Sequence, residues 1–343
     1  MFSAIVAMGE MASHHEPIHD HHVIHSINNN PKSSWKAKVY EKFANMTVGE
    51  FKQKYLGAIH EEAITPSSKS RFSIVTGPPT AYTPPTNFDS RQKWPQCVHT
   101  VRNQLDCGSC WAFWIEFNDL VSATKVLSDR FCIASNGSVN VIMSPQYQID
   151  CNMDNLGCSG GSLPKTWNFL TNVGSVSEQC RPYKNNDDDD CPSKCVDGKA
   201  PSFYKAKSYA SIKGLDSIMY EIQNYGPVHA SLTVYKDLMS YQSGVYSHLT
   251  GNEIGGHAIV IIGFGMDSLS KKPYWIIANS WGENGSIPTS YKISNAPRLR
   301  DDLHDGFGDD SQTKKPCWTV ANSWSEKEPM SVELKEMLGL HPS

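Results

Sequence analysis

The chain has no apolar run approaching the ~20 residues that a membrane-spanning helix needs, so no segment reads as a bilayer span. It has no strong excess of either charge sign: 31 Lys and Arg stand against 35 Asp and Glu, a net charge of -4. That balance gives no electrostatic footprint for nucleic acid or an anionic membrane. Basic residues are missing ahead of the short apolar stretch FSAIVAM, and Glu10 follows it closely, so no secretory leader is recognisable. Histidines crowd the start (His14, His15, His19, His21, His22 and His25), but without the fixed spacing of a zinc site. They read as a disordered, acid-titrating tail, with no metal or cofactor expected.

What is abundant is cysteine. Ten in 343 residues point to disulfides and an oxidising route through the secretory pathway. Three N-x-S/T sequons, at Asn45, Asn136 and Asn284, fit that compartment. The expected location is therefore lysosomal or extracellular. The length is ample for one large two-lobed domain with an N-terminal extension.

One run of seven residues, CGSCWAF from Cys107 to Phe113, carries chemistry. It sets Cys110 before an apolar stretch expected to be helical to about Ser128. A thiolate at the positive end of a helix dipole has a lowered pKa and is a nucleophile near neutral pH. Far downstream lie a candidate base, His257 in GGHAIVIIGFG, and a candidate orienter, Asn279 in WIIANSWG, while Gln104 precedes Cys110 by six residues. The texture after Ser208 turns to short β-rich runs, GPVHASLTV, SGVYSHL, HAIVIIGFG and YWIIANSW.

These separated elements, in this order, resemble the papain-like cysteine peptidases, and within them the cathepsin B-like branch. The resemblance implies an α+β, two-lobed fold, a helical lobe plus a β-barrel-like lobe, with the site in the cleft between them and an N-terminal propeptide. It implies that Cys110 attacks, His257 holds it as an ion pair and protonates the leaving amine, and Asn279 orients the imidazole. Trp281 shields that bond, and Gln104 with the Cys110 N–H receives the oxyanion. Gly160 and Gly161 in GCSGG would pair with an extended substrate. The family pattern further implies the bridges Cys97–Cys132, Cys107–Cys158, Cys151–Cys191 and Cys180–Cys195. Cys110 and Cys317 are left over.

Three parts follow: a pro-region over 1–82, a peptidase domain over 83–296, and a tail over 297–343. Within the first, SSWKAKVYEKFANMTVGEFKQKYLGA resembles a cathepsin B-like propeptide, and PPTAYTPP (Pro78–Pro85) reads as an extended linker. The pro-region is expected to lie in the cleft without a substantial core of its own. Peptides and the chain's own propeptide are the expected partners, and the protein is expected to be a monomer.

The chain also departs from the family pattern. Cys180 and Cys191 enclose only RPYKNNDDDD, without the histidine pair of the loop that confers carboxydipeptidase action, so the expected activity is endopeptidase. Asp187–Asp190 read as a solvated turn. Leu105 stands where the family usually has glycine, and Asp106 adds a negative charge near the thiol. WIEFNDLV (Trp114–Val121) looks inserted, and in a helix it would add about 12 Å. The family's closing strand is absent. In its place GFGMDSLSKKPYWIIANSWGE (263–283) recurs as GFGDDSQTKKPCWTVANSWSE (306–326), identical at fourteen of twenty-one positions, with Arg300 in the place of His257. The tail reads as weakly folded surplus, and Asn322 as a poor rival to Asn279. A second reading stays open: an inactive homologue that works as a binding or decoy protein.

Overall fold

A computed structural model describes residues 15–59, 72–76, 78, 82–99, 104–112, 114–115, 119–120, 122–187, 190–281, 287–294 and 320–322. In chain order the pro-region gives α1 (His21–Asn29), β1 (Trp35–Ala37), α2 (Val48–Tyr55) and β2 (Phe72–Thr76). Asp20 caps α1. Thr47 and Glu50 close a reciprocal capping box on α2, with Thr47 N–H donating to Glu50 Oε2 at 2.8 Å and Glu50 N–H to Thr47 Oγ1 at 3.2 Å.

Next come β3 (Phe88–Asp89), α3 (Ser90–Lys93), a small hairpin of β4 (Trp114–Ile115) and β5 (Asp119–Leu120), and the three helices of the first lobe: α4 (Ser122–Ala134), α5 (Pro145–Cys151) and α6 (Leu163–Asn172). The second lobe is built from β6 (Tyr209–Lys213), α7 (Leu215–Tyr225), β7 (Val228–Tyr235), β8 (Tyr241–Tyr246), β9 (Glu253–Met266), β10 (Pro273–Ala278), β11 (Ser290–Ser294) and β12 (Val320–Asn322). The expected β-rich runs are β7 to β10.

Among the described residues the seven strands of the second lobe, joined by β1 and β2 of the pro-region and by β3, form a ten-stranded sheet in the order β1-β8-β11-β10-β9-β7-β12-β6-β2, with β3 attached to β9. Long apolar β9 is its spine, buried on both faces from His257 to Gly265, as a continuous hydrophobic run requires. The helical lobe packs on it: Val126 and Leu127 of α4 and Trp167 and Leu170 of α6 share a cluster with Val260, Ile262 and Ala278. Arg130 of α4 pairs with Glu221 of α7 at 2.9 Å in the buried seam.

Among the described residues the pro-region has no separate core; it borrows one. Ile18, Ile27, Trp35, Phe43, Phe51 and Tyr55 are buried in the same cluster as Leu238, Tyr246, Trp275 and Trp281 of the second lobe. Trp35 also brings β1 onto the edge of β8, paired opposite Gly244, and its indole N–H donates to Ser247 O at 2.9 Å.

Three expectations are corrected. The helix does not begin at Cys110. Cys110–Ala112 form a turn, the extra residues fold back as β4 on β5, and α4 starts only at Ser122. Trp114 and Ile115 are aromatic and β-branched, suited to a strand pair. The detour closes on itself, because Thr124 Oγ1 donates to Ala112 O at 3.1 Å, so it does not lengthen α4. The His-rich start is not a disordered tail from residue 15 onward: His21, His22 and His25 lie in α1, and His19 is buried. His14 lies outside the described residues. The acidic turn is not merely solvated: Asp187 accepts from Cys158 N–H at 2.9 Å, which ties the short loop to the Gly157–Ser159 turn.

Of the tail, β12 alone is described. It lies antiparallel between β7 and β6, with Asn322 opposite Ala210. Cys317 and the rest of the second copy fall outside the described residues.

Candidate active site

Cys110 sits at the seam of the lobes, fully buried, and is the free cysteine among the described residues. The bridges are Cys97–Cys132, Cys107–Cys158, Cys151–Cys191 and Cys180–Cys195, as the resemblance implied. Cys107–Cys158 fastens the nucleophile's turn to the glycine segment beside it. Cys110 Sγ accepts the Ala258 N–H at 3.4 Å, so β9 brings His257 alongside the thiol.

The hairpin of β9 and β10 returns the chain to the same place. Ala278 pairs with Val260, so the next residue, Asn279, reaches back to His257, and its Oδ1 lies 2.9 Å from His257 Nε2. An amide oxygen only accepts, so Nε2 carries the proton of the neutral ring. The lone pair is thereby left on Nδ1, which has no hydrogen-bond partner among the described residues. Trp281 stacks on the imidazole, with ring centroids 4.5 Å apart at 29°, and keeps water from the His257–Asn279 bond. The backbone of Asn322 lies on β12, opposite Ala210 of β6.

Gln104 is buried and held by Ser280 at both ends: its N–H donates to Ser280 O at 2.7 Å, and Ser280 Oγ donates to its Oε1 at 2.6 Å. That leaves Nε2 to point at Cys107 O, 3.1 Å away, and at the pro-region. Ser280 was not singled out from the sequence, though it stands between Asn279 and Trp281 in the same motif. Leu105, where the family pattern has glycine, takes φ 49, the left-handed region that costs a residue with a Cβ about 1 kcal/mol.

The pro-region fills this cleft. Gly57 and Ala58 N–H groups both reach Gly256 O, at 3.3 and 3.2 Å; Gly161 N–H donates to Gly57 O at 2.8 Å, and Ile59 N–H to Gly161 O at 2.9 Å. Gly161 must be glycine here, since a Cβ would lie 2.5 Å from the Trp111 ring. On the other side of the thiol, Trp281 Nε1 donates to Tyr55 O at 3.2 Å and Gln104 Nε2 to Lys54 O at 3.4 Å. The residues expected at the site, Cys110, His257, Asn279, Gln104, Gly160, Gly161 and Trp281, are thus brought together, with a chain already seated on them.

Covering the site changes its protonation. Burial pushes the Cys110 thiol up to about 12, against the pull of the Ala258 and Gly57 N–H groups, and burial lowers His257 to about 4, opposed by its bond to Asn279. The expected thiolate–imidazolium pair is therefore absent from the closed form: both partners are neutral. The helix dipole invoked for Cys110 is also displaced, since α4 begins twelve residues later.

Two more buried histidines are neutral for the same reason. His19 falls to about 4, chiefly by burial and further by the charges of His21 and Lys236, and His229 falls to about 3 by burial. His19 joins the pro-region to the second lobe: its Nε2 accepts from Tyr40 N–H at 3.2 Å and its Nδ1 meets Ser240 Oγ at 3.1 Å. The unfolded chain binds protons at these three sites near 6.5, before the folded one does. Their contribution to stability is thus full above pH 6.5 and is lost as pH falls toward 4, at a slope of about 1.4 kcal/mol per pH unit per group. Thermal unfolding of the uncleaved chain should show its midpoint dropping across that window, less steeply in His19→Gln. A flat profile between pH 6.5 and 4 would contradict the burial of these rings.

Comparison with known proteins agrees with this geometry. The family described as papain family cysteine protease matches residues 84–296. Cathepsin B-like CP3 of Giardia intestinalis is 36% identical over 270 residues, covering 77% of this chain and 84% of the relative. Cathepsin B-like cysteine proteinase 4 of Caenorhabditis elegans is 34% identical over 296 residues, covering 75% and 83%. Among solved structures, proCathepsin B S9 from Trypanosoma congolense superposes with a TM-score of 0.70 at 28% identity, covering 81% of this chain and 93% of that one. A Cys-centred cleft between a helical lobe and a sheet, plugged by its own N-terminal segment, together with these likenesses, shows that the chain belongs to the papain family of cysteine proteases, in its cathepsin B-like branch.

Proposed function

We propose that the protein is a cysteine endopeptidase made as a zymogen, with Cys110 as nucleophile and His257 as its acid–base partner. The observation that carries this reading is the ordered imidazole: Asn279 Oδ1 accepts a hydrogen bond from His257 Nε2–H at 2.9 Å, which leaves the Nδ1 lone pair to accept the proton of the thiol.

Once the pro-region leaves, water and substrate dipoles replace its apolar cover, and charge separation to thiolate and imidazolium becomes affordable. The thiolate adds to the peptide carbonyl. Gln104 Nε2, released from Lys54 O, and the Cys110 N–H donate to the oxyanion. His257 passes its proton to the leaving nitrogen, and water then hydrolyses the thioester with His257 as base.

Internal cleavage follows from the short loop between Cys180 and Cys191. It carries no histidine pair to bind a terminal carboxylate, and Asp187 is committed to Cys158. A peptide with a free C-terminus and its amidated twin should be cut internally at similar rates by the processed enzyme. Stepwise loss of dipeptides from the free form alone would overturn the endopeptidase assignment.

The alternative, an inactive homologue that binds without cutting, draws on strained Leu105 and on the hairpin beside the nucleophile. A thiol-directed covalent probe applied after removal of the pro-region separates the two: labelling at Cys110 with loss of peptidase activity supports the enzyme.

A further inference from the structure

The pro-region seats a charged side chain as well as a backbone in the cleft. Lys54, in the last turn of α2, places Nζ 3.2 Å from Asp106 Oδ2, and the Tyr55 hydroxyl donates to the other carboxylate oxygen at 3.4 Å. The same two residues give their carbonyls to Gln104 and Trp281, so this ion pair belongs to the stretch that lies across the site. Lys42, whose Nζ donates to Trp281 O at 3.0 Å, is a second pro-region cation in the field of Asp106. Asp106 and Lys54 side chains are 55% and 40% exposed, so the carboxylate stands on the open rim of the cleft, within reach of whatever replaces Lys54.

The side of the cleft follows from the chemistry. The leaving nitrogen must take its proton from His257, so the departing half of the substrate passes over the imidazole and the Trp281 ring stacked on it. Tyr55 and Lys54 occupy that side, whereas Gly57–Ile59 pair with Gly161 on the other side of the thiol.

We propose that Asp106 is a specificity-determining residue that favours lysine or arginine on the leaving-group side of the cut bond, and that Lys54 fills this subsite in the zymogen. The separation from Gly57, over the thiol, to Lys54 is three residues. A substrate at roughly 3.3 Å per extended residue therefore meets the carboxylate within about three residues of the cut. The proposal rests on the endopeptidase reading above. An exposed pair of this kind shifts a ratio by about two- to fivefold, and salt weakens it.

The test uses peptides identical except for Lys, Ala or Glu moved through those three positions. Processed wild-type enzyme should prefer Lys over Ala by about two- to fivefold in kcat/KM, with Glu the poorest, and the preference should shrink with added salt. Asp106→Asn and Asp106→Ser should bring the ratio to unity, and Asp106→Lys should favour Glu. No Lys preference in the wild type, or the same preference in Asp106→Asn, would overturn the proposal. A second arm needs no turnover. The full chain carrying Cys110→Ser, nicked in its linker, keeps the pro-segment bound, and the same peptides compete with it. The Lys peptide should displace the segment at a lower concentration than the Ala peptide, and lose that advantage in Asp106→Asn. If no peptide is cleaved by the wild type, the endopeptidase reading fails, while displacement still decides the subsite.

Discussion

Gly57→Ala should open the cleft of the uncleaved chain. A Cβ on residue 57 would stand 1.8 Å from the Gly108 carbonyl oxygen, in backbone that the Cys107–Cys158 bridge holds close by. Neither backbone has room to yield, so the segment from Gly57 to Ile59 must lift. That breaks its bonds to Gly161 and Gly256 and readmits water to Cys110. The thiol then falls from about 12 toward its ordinary value near 8.5, and each unit is a tenfold gain in thiolate. Alkylation of Cys110 by iodoacetamide at pH 7 should quicken by about a thousandfold relative to the parent chain. Phe51 and Trp35 stay packed in the shared core, so far-UV circular dichroism should be retained. An unchanged alkylation rate would mean that Gly57 does not seal the site.

Cys110→Ser should abolish turnover by the processed enzyme. A serine hydroxyl is nearly isosteric with the thiol but far less acidic, and the neutral imidazole of His257 was not arranged to ionise it. The loss should reach about 10⁴-fold or more, the scale seen when a covalent nucleophile is removed. The fold should survive, because Cys110 is in no disulfide. Retained activity in the variant would move the nucleophile elsewhere.

How much of this was legible in the sequence depends on the range of the interaction. The strands of the second lobe announce themselves as apolar runs, and β9 and β10 are read correctly because a buried strand needs nothing beyond its own composition. The four bridges, whose partners stand 15 to 51 residues apart, and the meeting of Cys110 and Gln104 with the distant His257 and Asn279 come through resemblance, since no local pattern says which of these residues will meet. The detour through Trp114 and Ile115 was legible as extra sequence but not as a hairpin: apolar residues in a short run fit a helix equally well until Thr124 is seen to bond Ala112. His19 was read with its exposed neighbours because burial is a tertiary property. The neutral state of Cys110 in the covered form is not legible locally for a related reason, since burial under a segment some fifty residues earlier raises its pKa. Lys54 and Asp106, fifty-two positions apart, each look like ordinary surface charges on their own.

The shared core of pro-region and second lobe gives a cut in the linker an unexpected meaning. Trp35 and Phe43 stay packed, and β1 stays on the edge of β8, whether or not the chain is continuous beyond residue 76. Scission therefore does not evict the plug. It removes the tether, and with it the high effective concentration that a covalent linker supplies. From that moment occupancy of the cleft is governed by the affinity of the seated segment and by the concentration of the two parts, so dilution favours an open cleft.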